Sequence, residues 1–108
     1  MDVYILNACT TKERYVSIFS DKQTAMTVLR DSLMTEDFKE IRHHLEKYNL
    51  KLDKVIDFEI YTIDGYEFIV HNDDSDNDVY LRLSNRWGKV EISIHLSTVD
   101  SFREVSIS

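Results

Sequence analysis

Residues 70–80 read VHNDDSDNDVY, with four aspartates, two asparagines and a serine in one short span. So many oxygen donors suggest a hard-cation site. An EF-hand loop takes ligands at positions one, three and five, a glycine at six for the sharp turn, and a bidentate glutamate at twelve. Asp74, Asp76 and Asp78 supply the first three. Position six is then Val79 and position twelve is Asn85. Starting instead at Asn72 puts Asn77 at six and Leu83 at twelve. Both frames lack the turn and the bidentate ligand, which leaves only a looser oxygen-rich cation site. The plainest reading is a solvated connection whose charges keep a sheet edge from self-association.

Transition-metal chemistry needs imidazoles or thiolates. The imidazoles are His43, His44, His71 and His95. Asp37, Glu40 and His44 fall at i, i+3 and i+7, one stripe of a helix. Glu40 and His44 therefore form a candidate half-site for zinc or another divalent metal, completed by distant residues. No HExxH or paired CxxC is present. Cys9, the single cysteine, excludes an internal disulfide and fits a reducing cytosol; its apolar surroundings suggest a buried structural thiol.

No nucleotide-binding loop, nucleophile elbow or dinucleotide fingerprint occurs, and only two glycines are available for close approach to phosphate. The chain is therefore expected not to be an enzyme. Trp87, the only tryptophan, lies in the turn SNRWGKV beside Arg86. It is a candidate interface anchor, although an indole folded back over the sheet is the simpler expectation.

Charge is distributed unevenly. Residues 53–78 hold nine acids against the single base Lys54, a net −8 in a chain whose total is −7. Direct nucleic-acid binding there is disfavoured, because phosphate contacts require Lys and Arg. A basic protein surface is the complementary partner.

These residues must be positioned by a small set of elements. A chain of 108 residues suits one domain, here 1–108, and no window is apolar enough for a membrane span. The amino terminus lacks a basic leader, so no signal peptide is expected, and the location expected is cytoplasmic. VYILNA and YVSIFS predict an opening hairpin. Ser20 to Gln23 matches an S-x-x-Q capping box, followed by Ala25, Met26, Leu29 and Leu33 at helical spacing. Thr35 predicts a second N-cap, and Phe38, Ile41, Leu45 and Tyr48 a second apolar stripe, with Asn49 as a left-handed stop.

After that the period becomes two. KVIDFEIYTI and YEFIVH flank Asp64-Gly65, a hairpin signal. A two-residue turn places Glu59, Tyr61, Phe68 and Val70 on one face, mixing acid with core. A three-residue loop over 63–65 places Phe58, Ile60, Phe68 and Val70 together and gathers Asp57, Glu59, Tyr61, Glu67 and His71 opposite. The apolar face favours the three-residue loop. VYLRLS and VEISIHLS form a further hairpin, and SFREVSIS can add a short last strand. The expected fold is α+β, in the order ββααββββ(β): an antiparallel sheet of five to seven strands, two helices on one face and acids on the other.

In this architecture and charge the chain resembles phage-encoded anti-CRISPR inhibitors, notably those directed at type II effectors. The acids of 53–78 carry the resemblance, and the strand opening VYILNAC resembles other small phage or mobile-element proteins. Such inhibitors bind basic grooves meant for guide RNA, target DNA or the PAM duplex. The resemblance implies a non-enzymatic inhibitor in the host cytoplasm, monomeric or homodimeric, bound to a CRISPR effector nuclease. Asp57, Glu59, Glu67, Asp73, Asp74, Asp76, Asp78 and Trp87 are the contact residues expected from charge and exposure. The alternatives are a small zinc- or calcium-binding domain, or a homodimeric structural or adaptor protein.

Overall fold

The structure, a computed structural model, describes residues 2–73 and 78–98. Six antiparallel strands form one sheet: β1 (Asp2–Cys9), β2 (Arg14–Phe19), β3 (Ile56–Ile63), β4 (Tyr66–Asp73), β5 (Asp78–Asn85) and β6 (Gly88–Thr98). Their spatial order is β2-β1-β6-β5-β4-β3. Two helices, α1 (Lys22–Leu33) and α2 (Lys39–Lys47), cover one face, with a 3-10 turn at Glu36–Phe38 between them. The α+β class, the element order and the one-sided helix layer agree with the sequence reading.

The core lies between helices and sheet because side-chain periods coincide there. Ala25, Met26, Leu29 and Leu33 of α1, with Phe38, Ile41 and Leu45, meet Leu6, Ala8, Phe68, Val70, Val79, Leu81, Leu83, Ile92 and Ile94 of alternate strand positions. None of these is more than marginally accessible.

Two helix starts differ from expectation. The α1 cap is Asp21, not Ser20. Its carboxylate accepts from the Thr24 amide at 2.8 Å and from the Thr24 hydroxyl. A carboxylate at the positive helix end gains charge–dipole energy that a serine hydroxyl does not. Those hydrogen bonds hold the Asp21 pKa below its ordinary value. Thr35 precedes the 3-10 turn in extended conformation but caps nothing; its hydroxyl donates to the Ser32 carbonyl at 2.6 Å. Asn49 does take the left-handed conformation, φ 55°. The short strand expected over SFREVSIS lies outside the described residues, as do Asp74 and Asp76 of the acidic run.

Candidate partner-binding surface

The β3–β4 hairpin carries most of the expected contact residues, and its register decides where they point. Ile63 pairs with Tyr66, so the turn is the two-residue Asp64-Gly65. Both residues have positive φ, 51° and 80°. Such a turn matches the right-handed twist of the strands it joins. The three-residue loop expected from the apolar pattern is thereby corrected. Tyr61 lies opposite Phe68 and Glu59 opposite Val70, all toward the helices, while Ile60 lies opposite Ile69 on the open face. A register shift between Ile56 and Glu59 inserts an extra residue, which lets Ile56 also face the core.

This register leaves apolar side chains uncovered. Phe58 is 60% exposed and Ile60 53% exposed. Both sit on β3, the last strand of the sheet order, whose outer edge has no neighbouring strand among the described residues. Tyr61 points the other way, where its ring stacks on Tyr48 of the α2 terminus at 3.9 Å. That stack ties the edge strand to the helix layer.

The acids do not gather on one face as expected. Glu59 turns toward the helix side and accepts the Tyr61 hydroxyl, an interaction that raises the Tyr61 pKa above its ordinary value. Glu67 lies on the open face and is paired with Arg82 at 3.2 Å. Asp53, Asp57 and Asp64 are exposed. Asp73 and Asp78 close the β4–β5 ladder opposite each other, and each is engaged in a further interaction. The alternation of the pleat forces this split, because acids at 57, 59, 64 and 67 cannot share one side once the turn has two residues. The segment before β3 is held by Asn72, a buried amide that donates to the carbonyls of Leu52 (2.8 Å) and Lys54 (2.9 Å). Sequence reading missed this residue; an asparagine interrupting the inward row Phe68, Val70 was its only signal.

Trp87 does not fold over the sheet. It is 80% exposed in the β5–β6 turn, with the Arg86 guanidinium 4.7 Å from its ring centroid. A shallow cavity of about 210 Å³ lies beside it, lined by Glu40, Tyr66, Leu83 and Val90 among others. The turns of β1–β2, β3–β4 and β5–β6 all lie at this end of the sheet, as the strand registers require.

The Glu40–His44 pair is arranged differently from a ligand set. The His44 ring is buried against Tyr48, Tyr66 and Phe68, and its Nδ1 meets the main-chain carbonyl of Glu40 at 2.8 Å. The Glu40 carboxylate is exposed. His71 faces the open side, opposite Tyr80 and against the Phe58 ring rather than across from Asp57. Cys9 is half-buried on the same side, its thiol 3.7 Å from the Thr10 carbonyl. Among the described residues no three His, Cys, Asp or Glu side chains gather as a metal site requires, and no helix is long and apolar enough to cross a membrane.

Compared with known proteins, the chain matches no family model, no curated protein and no solved structure.

Proposed function

We propose that this chain is a non-enzymatic binding module for a basic protein surface. The observation that carries the reading is the outer strand β3, which leaves Phe58, Ile60 and Asp57 exposed, with exposed Asp53 ahead of the strand and exposed Asp64 in the turn that ends it. Apolar side chains supply contact area, and carboxylates supply long-range attraction and register. The outer edge of β3, unpaired among the described residues, also offers main-chain groups to an extended basic segment. Within this reading, the partner is a nucleic-acid-binding defence effector of the anti-CRISPR target class. Carboxylates take the places of the nucleic-acid phosphates that the effector binds, and the module acts as an inhibitor in the host cytoplasm. The net −8 of residues 53–78 supports that choice.

The test is affinity capture from host lysate with identification by mass spectrometry, followed by direct binding measurements on the captured protein. Asp57→Lys with Asp64→Lys should weaken binding and flatten its salt dependence. Phe58→Ser with Ile60→Ser should weaken it at all salt concentrations. Unchanged affinity for both double variants would remove β3 as the contact surface.

A further inference from the structure

The open face of the sheet holds a concavity of about 520 Å³, within the range of small-molecule sites. It forms because the central strands carry short side chains there. Asn7 of β1 and Ser93 of β6 are direct neighbours, and Ser93 is followed across the sheet by Tyr80 and then His71. This row of four spans about 14 Å, three strand spacings. Short side chains make its floor, the rings of Tyr80, His71 and Phe58 make one wall, and Arg14 reaches in from β2 on the other side.

The hydrogen-bonding capacity of this concavity is one-sided. Its acids are already engaged. Glu91 accepts the Tyr80 hydroxyl at 3.1 Å and lies 3.7 Å from the Lys89 ammonium, and Asp78 has its own interaction. The Tyr80 pKa is raised, first by burial and then by Glu91, so its proton stays on the phenol and in that bond. Several other polar groups of the lining are not engaged. Among the described residues, the side chains of Arg14, Asn7, Ser93 and His95 have no hydrogen-bond or ion-pair partner, and His71 Nδ1 is buried without one. A buried atom left in this state, as His71 Nδ1 is, costs free energy that a ligand can recover, while Arg14 and His95 are exposed and free to turn toward one.

We propose that this concavity binds a small organic anion with a flat apolar body. Its carboxylate is held by Arg14, Asn7 and Ser93, and its ring lies against Tyr80, His71 and Phe58. Charge-assisted hydrogen bonds to the guanidinium fix the anionic end, and aromatic contact holds the other. The site is separate from the acidic β3 edge in chemistry, and only Phe58 contributes to both.

Three probes share one body and differ in charge: phenylpropionate, phenylpropionamide and phenylpropylamine. Each is titrated into the isotopically labelled full chain and followed by amide shifts in two-dimensional NMR. Phenylpropionate should give saturable shifts at Asn7, Ser93 and His71 with a Kd near 1 mM, on the order of 4 kcal/mol. The amide should bind several-fold more weakly and the amine not measurably. Arg14→Gln, an exposed edge-strand change that leaves the core intact, should weaken the carboxylate about tenfold, the scale of one charge-assisted contact. Ser93→Leu should abolish binding by filling the floor. Tighter binding of the amine, an unaltered Kd in Arg14→Gln, or no saturable shift from any probe up to about 10 mM would each overturn the proposal.

Discussion

Replacing Tyr48 by alanine should loosen β3 before it loosens the rest of the sheet. The Tyr48 ring stacks on Tyr61 at 3.9 Å and 16° and lies 6.3 Å from Phe68 at 14°. Aromatic pairs of this kind contribute about 0.5–1.5 kcal/mol beyond their burial. The apolar area of a half-buried ring adds roughly 1–2 kcal/mol. The expected loss is therefore about 2–3 kcal/mol, within what a domain of this size can lose and remain folded. Among the described residues, β3 is bonded to the sheet along one side only, through β4. Its side-chain links to the helix layer run chiefly through Ile56 and Tyr61. The loss should thus fall on local opening of β3, which speeds amide exchange there by about 30- to 150-fold at 1.36 kcal/mol per decade. Hydrogen exchange read by NMR gives the comparison directly, with the central β6 amides of Ile92 and Ile94 as reference. Tyr48→Leu, which keeps apolar bulk without a ring, should recover part of the protection. Equal loss of protection in β3 and β6, or none in β3, would refute the claim that this stack holds the edge strand.

Gly65→Ala should cost about 1–2 kcal/mol in urea unfolding, the penalty for a side chain in left-handed backbone; beyond its chain neighbours, no atom of the described residues lies within 4 Å of the added methyl, so the cost is conformational. Asn72→Ala should cost about 1–3 kcal/mol by leaving the Leu52 and Lys54 carbonyls without their donor, and amide exchange should rise across 50–55. Asp21→Ala should lower stability at neutral pH. Because the folded pKa of Asp21 is lowered, its contribution is present above the ordinary carboxylate range and disappears as pH falls through the folded value. Wild type and variant should therefore converge in acid, as urea midpoints across pH can establish. Trp87→Ala should shift stability by less than about 0.5 kcal/mol, and wild-type tryptophan fluorescence should be water-like and fully open to acrylamide quenching.

The fold was legible wherever one period dominated a segment. Leu81, Leu83, Ile92 and Ile94 alternate cleanly, and Phe38, Ile41 and Leu45 recur at helical spacing, so their faces followed directly. β3 resisted because apolar residues occupy both of its faces and an inserted residue near Asp57 and Phe58 changes the phase. With two apolar rows to choose from, the hydrophobic pattern could not fix the register. The local preference of Asp64-Gly65 for a tight twisted turn decided it instead. The candidate surface was legible as charge but not as geometry. Composition located the acids of 53–78, yet it could not show that Arg82 neutralises Glu67, that Glu59 turns inward, or that Phe58 and Ile60 remain uncovered. The open-face concavity was invisible to sequence because Arg14, Asn7, Ser93, Tyr80 and His71 come from five different strands.

The strand order has a consequence during synthesis. The amino-terminal hairpin does not complete the sheet with its sequence neighbours; β1 docks on β6, with Ile5 opposite His95 and Cys9 opposite Glu91. These partners lie 90 and 82 residues apart, a delay of about 4–18 s at ordinary translation rates. Through that interval Val3, Leu6 and Ala8, all buried in the finished protein, wait beside the ribosome without β6, the second partner strand of β1. Closure of so long a loop sets a slow step. A nascent chain arrested before β6 emerges would present β1 paired with β2 on one side and open on the other, its apolar residues offered to chaperones or to another copy of itself.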